Sequence, residues 1–151
     1  VGFNIELKRH PDHREGIDDG FDGTEPARME HRLVELVRQY DLAERVTVQS
    51  FDHRSLWAIH AVAPDLRLAA LEATRTVPLA DLARRGASVW SPNAGLVDAT
   101  SLREAREAGL VTIPWTVNDR DEMERLIELG VDGIITDRPD LLVAPESAPG
   151  S

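Results

Sequence analysis

The sequence predicts an α/β fold, a parallel β-sheet covered by helices and forming part of a (β/α) barrel. Three observations predict it. Short alternating or apolar segments recur between segments with a helical apolar stripe, from Val1 to about Leu142, the pattern of strands joined by crossover helices. Five or six strands can be counted, and the 151 residues fall short of the roughly 250 of a closed eightfold barrel. The first strand, finally, carries Asn4, Glu6 and Lys8 on a face that a parallel sheet would normally bury.

That strand is Val1–Lys8, with Phe3, Ile5 and Leu7 on one face and Asn4, Glu6 and Lys8 on the other. A buried carboxylate and ammonium are costly unless paired, hydrogen-bonded or metal-bound. Barrel enzymes place their chemistry at the carboxyl ends of the strands, where Glu6 and Lys8 fall. A strand at a sheet surface would explain the same residues as simply wet. Val1 already lies inside the strand, so the expectation is the carboxyl-terminal portion of a longer chain, with the amino-terminal half of the barrel missing.

A polar loop runs from Arg9 to about Glu25, of a length usual in functional loops. Its Ile17–Gly23 stretch makes a poor calcium loop. With Asp18 first, Gly20 stands third and Met29 twelfth, where a Glu is needed. His10 and His13 are neighbours in sequence, but no element fixes them, and they read as solvated. Thr24 is placed to cap the next helix, with Pro26 in its first turn. Met29, Leu33, Leu36, Val37 and Tyr40 are its apolar stripe. Val46–Phe51 is the second strand, and Phe51 at its end is either a core plug or a wall of a substrate site. Asp52 is placed to cap a helix over Ser55–Ala63, buried through Leu56, Ile59 and Val62 or Ala63. His60 on that helix reads as structural or surface.

Arg67–Leu71 is the third strand, and a helix over Pro78–Arg85 stops at Gly86. Ala87–Ser91 is the fourth strand and Pro92–Gly95 a turn. Ser101-Leu-Arg-Glu104 has the form of a capping box for a helix ending at Gly109. Leu110–Val117 is strand-like, but Pro114 removes a ladder donor and implies a bulge or a short pairing. Asn118 can cap a helix through Leu129, with Met123, Leu126, Ile127 and Leu129 apolar and Gly130 ending it. Val131–Asp137 is the last strand, and a helical turn starts at Arg138. Residues 1–143 thus read as one barrel portion, and residues 144–151, rich in Pro, Ser and Ala, as a disordered tail.

Composition excludes several classes. A net charge of −10 argues against a nucleic-acid partner and offers no basic patch to an anionic membrane. No apolar run approaches the roughly 18 residues of an integral membrane segment. The chain has no Cys, which removes disulfides, thiolate metal sites and Cys nucleophiles.

Three stretches in order, Asn4-Ile-Glu-Leu-Lys8, Trp115-Thr-Val-Asn118 and Asp132-Gly-Ile-Ile-Thr-Asp137-Arg-Pro139, resemble the second half of the glycerophosphodiester phosphodiesterases, which are TIM barrels. Ser50-Phe51 and the helix end before Trp115 fit the same pattern. The resemblance covers most of residues 3–142. It implies metal-dependent hydrolysis of a small-molecule glycerophosphodiester to glycerol 3-phosphate and an alcohol. Glu6 matches a metal-binding carboxylate for Mg²⁺ or Ca²⁺, hard cations that take oxygen ligands. Lys8 matches a lysine near the phosphate or glycerol, and Trp115 an aromatic on the glycerol side. Phe51 would be a further pocket wall. An ordinary core Trp is the other reading of Trp115, while Asn118 and Asp137 read as a helix cap and a strand-end hydrogen-bonder.

The family's His-Arg-Gly, Glu-x-Asp and His-Asp pieces do not occur in this sequence; in the family they lie upstream of the strand that Glu6 matches. The two catalytic histidines would therefore come from outside these residues, and the expectation is that the 151 residues alone are inactive. Two other functions fit the pattern: a lysophospholipase D-like phosphodiesterase, and a half-barrel that binds ligands or assembles with another chain.

Overall fold

The computed structural model describes residues 1–9 and 19–142. The His10, His13 and Asp18 readings and the tail at 144–151 lie outside the described residues. Strands β1 (Phe3–Glu6), β2 (Val46–Ser50), β3 (Arg67–Glu72), β4 (Val89–Pro92) and β5 (Val111–Thr112) form one sheet. They lie side by side in sequence order and every pairing is parallel. Helices α1 (Arg28–Gln39), α2 (His53–Val62), α3 (Leu79–Arg84), α4 (Ala99–Glu107) and α5 (Arg120–Leu129) fill the connections. The α/β expectation is borne out.

Register decides which residues face the helices. Paired residues in a parallel sheet share a face, and Ile5, Val48 and Leu68 stand in one row. Ala70 and Trp90 pair on the same face. Against it pack Leu56 and Ile59 of α2, Leu82 of α3, Leu102 of α4, and Met123 and Leu126 of α5, all buried. Each such side chain contributes about 1.5–3 kcal/mol by leaving water, so this layer holds the sheet together. Asn4, Gln49, Ala69 and Val89 occupy the opposite face. There they line an open cavity of 530 Å³ together with Thr47, Arg67, Ser91, Ile113 and Ile135. In a barrel this face is the lumen.

The helix starts differ from the sequence reading in three places. Thr24 does not cap α1; Ala27 does, and the Glu30 carboxylate reaches back to its N–H at 3.0 Å. The helix begins only at Arg28, beyond Pro26. Tyr40, expected in its buried stripe, is 63% exposed. Ser101 is the third residue of α4, and Asp98 is the cap, taking the Ser101 N–H at 2.7 Å. Asp119 caps α5 through the Glu122 N–H, because the Asn118 side chain is engaged elsewhere. Asp52 caps α2 as expected, and Ala63 rather than Val62 is the buried residue at its end.

The expected sixth strand, Val131–Asp137, is not a regular strand, although it runs beside β5. Asp132 N–H donates to Thr112 C=O (3.0 Å), Ile135 N–H to Pro114 C=O (2.9 Å) and Val117 N–H to Ile135 C=O (2.9 Å). The two residues bonded to Ile135 would be two apart in a regular parallel ladder. Here they are three apart, so one extra residue is inserted next to Pro114. Pro114 has no N–H to give to this segment, and the chain bulges between Pro114 and Val117. On the other side the register with β4 continues through Trp115 N–H to Pro92 C=O (2.9 Å).

Candidate active site at the carboxyl ends of the strands

Glu6 is the last residue of β1, paired in register with Gln49 on the lumen face. It is half-buried, and among the described residues no hydrogen bond or ion pair engages its carboxylate. Lys8 is exposed and likewise has no partner among the described residues. The strand is shorter than expected, so alternation does not place Lys8. Leu7 N–H still donates to Gln49 C=O (2.9 Å), but Arg9 N–H turns back to Leu7 C=O at 2.7 Å. Lys8 therefore stands at the apex of a three-residue turn.

Phe51 and Trp115, 64 positions apart in sequence, meet edge to face with centroids 5.4 Å apart and planes at 87°. That geometry suits aromatic quadrupoles. Trp115 is half-buried, whereas Trp90 is fully buried. Its indole Nε1–H donates to Ser91 C=O (2.8 Å) and its backbone N–H to Pro92 C=O (2.9 Å). The ring is thus held by Phe51 and Ser91, and its backbone by Pro92. Asn118 is a strand-end tie. Its Nδ2–H donates to Asp137 Oδ2 (2.9 Å), and its Oδ1 accepts from Asp137 N–H (2.9 Å) and Thr136 Oγ1–H (3.1 Å).

Behind this edge lies a buried polar cluster that sequence reading missed. Arg9 is 5% exposed and its Nε–H donates to Glu30 Oε1 at 3.0 Å. Its two terminal nitrogens reach Asp19 at 3.0 and 2.5 Å, and its guanidinium lies 4.3 Å over the Phe21 ring. The Ser55 hydroxyl also donates to Glu30, which is fully buried. The hydrogen-bonded Arg9 guanidinium holds the Asp19 carboxyl down at about 2, helped by the Phe21 and Met29 amides. The turn after Lys8 is in this way riveted to α1 and α2. On the helix side, Glu72 at the end of β3 is 2% exposed. It accepts from Trp90 Nε1–H (2.9 Å) and from Thr76 N–H (3.3 Å) and Oγ1–H (3.0 Å).

One signal for Lys8 was present in the composition. It is the only lysine among seventeen basic residues, so a compact ammonium stands here where guanidinium serves everywhere else.

The donor set does not by itself fit a bound Mg²⁺ or Ca²⁺. Among the described residues no group of three or more His, Asp or Glu could hold a cation. The strand-end carboxylates other than Glu6 are committed: Asp52 to Arg54 (2.6 Å), Glu72 to Trp90, and Asp137 to Asn118. One carboxylate cannot supply the six or more oxygens such an ion takes.

A parallel sheet with its open polar groups at the strand carboxyl ends defines part of a TIM-type barrel. Residues 2–141 match the glycerophosphoryl diester phosphodiesterase family. A glycerophosphodiester phosphodiesterase of Caldanaerobacter subterraneus subsp. tengcongensis is 34% identical over 116 residues, 76% of this chain and 48% of that protein. One from Bacillus altitudinis is 33% identical over 154 residues, 93% of this chain and 54% of its own. The crystal structure of a Silicibacter pomeroyi protein assigned as a glycerophosphoryl diester phosphodiesterase superposes with a TM-score of 0.76 at 28% identity. It covers 93% of this chain and 48% of that one. The chain therefore belongs to the glycerophosphoryl diester phosphodiesterase family. It spans about half the length of the curated relatives it matches.

Proposed function

We propose that this chain supplies one half of the active site of a glycerophosphodiester phosphodiesterase, which hydrolyses glycerophosphodiesters to glycerol 3-phosphate and an alcohol. The observation that carries this reading is the convergence of Phe51 on Trp115 at the sheet end where Glu6 and Lys8 are left open. Lys8 acts as a point charge that holds the phosphodiester. The Phe51–Trp115 corner packs on the carbon side of the substrate and keeps water from that flank. Glu6 contributes one ligand to a divalent cation, Mg²⁺ or Ca²⁺, whose other ligands come from outside the described residues. The cation's contribution, when bound, is to offset phosphate charge. The histidines that move protons are supplied by further barrel strands, which also cover the open lumen face.

The test is product analysis by ³¹P NMR with the natural full-length protein. Glycerophosphocholine should give glycerol 3-phosphate, and Lys8→Met should slow its formation about a hundredfold. Phosphocholine as the product, or faster turnover of lysophosphatidylcholine, would sink the proposed specificity. A second reading, a half-barrel that binds or assembles without catalysis, is favoured by the 530 Å³ open concavity. Saturable binding of glycerophosphocholine with no turnover would select it.

A further inference from the structure

The hydroxyl of Ser50 sits between two of the site residues and touches the backbone of both their elements. Leu7 C=O, immediately before Lys8, accepts from Ser50 Oγ–H at 2.8 Å. The same oxygen, Ser50 Oγ, accepts from Asp52 N–H at 3.2 Å, just past Phe51. Ser50 is itself fully buried and ends β2. A side-chain hydroxyl therefore closes the β1–β2 ladder where the two chains part. On one side of it the Lys8 turn begins, and on the other Phe51 leaves toward Trp115.

We propose that Ser50 is a positioning residue, which through these two hydrogen bonds fixes Lys8 and Phe51 relative to each other. This role rests on the proposed phosphodiesterase function and deepens it by assigning the group that sets the geometry of the site. Three features favour Ser at this position. Its side chain is short enough to lie inside the sheet edge. It donates and accepts at once. Alanine would take this acceptor from Asp52 N–H and this donor from the Leu7 carbonyl. Small displacements of a charged group beside a reacting phosphate are costly, with an ångström worth up to about a hundredfold in rate.

The test is a double-mutant cycle in the natural full-length protein with glycerophosphocholine as substrate. Ser50→Ala should lower kcat about tenfold with KM changed less than about threefold. In a Lys8→Met background the same change should cost less than about threefold, because of the two groups it positions only Phe51 remains. A full tenfold loss in both backgrounds would overturn the proposal and leave Ser50 merely structural. Should Ser50→Ala fail to fold, Ser50→Thr, which keeps the hydroxyl, should retain kcat within about threefold; an undiminished tenfold loss would overturn it. A readout free of turnover separates this role from the phosphodiesterase function itself. Acetylation of Lys8 by an activated acetyl ester, which transfers its acetyl group to the amine and releases its leaving alcohol, measured by peptide mass spectrometry, should change in rate at least about threefold in Ser50→Ala. An unchanged rate would overturn the positioning role even in an active enzyme. A protein that releases no glycerol 3-phosphate but shows the Lys8 change would instead refute only the catalytic reading.

Discussion

Glu6 and Glu72 each end a strand of the same sheet, at the same end, and have opposite fates. Glu72 ends β3 on the helix-facing side, is 2% exposed, and has both oxygens occupied by Trp90 and Thr76. Glu6 ends β1 on the lumen side, half-buried, with no bond among the described residues. Residue type and strand position are shared, so neither separates a structural carboxylate from an available one. What separates them is the face. On the helix face a carboxylate must be satisfied by protein, because leaving it unpaired costs several kcal/mol. On the lumen face it can stay open, and openness is what a ligand needs.

The contrast breaks most visibly in stability. Glu72→Ala leaves the buried Trp90 Nε1–H unsatisfied and opens a cavity, and should cost about 3 kcal/mol in urea unfolding. Glu6→Ala should stay within about 0.5 kcal/mol of the parent. Equal losses would show that Glu6 is a structural residue too.

The next largest effect is a pH dependence at the rivet behind Lys8. Asp19 titrates at about 2 when folded, against an ordinary 3.8, chiefly because Arg9 hydrogen-bonds its charged form. A depressed carboxylate gives stability that is fully present above the unfolded value and is lost as pH falls through the folded one. About 2 kcal/mol should therefore disappear between roughly pH 4 and pH 2. Asp19→Asn should flatten that part of the urea midpoint curve, and parallel curves would refute the assignment.

Smaller still is the aromatic corner. Trp115→Phe removes the Nε1–H bond to Ser91 but keeps an aromatic ring, so KM for glycerophosphocholine should rise about three- to tenfold with kcat little changed. An unchanged KM would place Trp115 in the scaffold alone. The least effect is expected from metal on these 151 residues by themselves. Calorimetry should find no Mg²⁺ or Ca²⁺ site tighter than about millimolar, and micromolar binding would mean that the ligand set is present after all.

The alternation of strand and helix was legible because it arises from local periodicity. Phe51 was picked out by its position at a strand end and Trp115 by the family resemblance, but their meeting depends on the parallel register from β2 through β5. Glu30 and Glu72 stayed hidden, because burial of a Glu is decided by partners such as Arg9 and Trp90 that lie 21 and 18 positions away. The misplaced caps have a similar cause. Asn118 and Asp119 are both good caps, and only the tie to Asp137 removes Asn118 from the competition. Pro114, by contrast, announced its bulge in the sequence, since its missing N–H is a property of the residue itself.

The most direct measurement is glycerol 3-phosphate release from glycerophosphocholine by the natural full-length protein, wild type against Glu6→Ala. If the open carboxylate serves the reaction, kcat/KM should fall at least about a hundredfold while the urea midpoint stays put. Wild-type activity in the folded Glu6→Ala protein would contradict the assignment of this strand end as the catalytic edge.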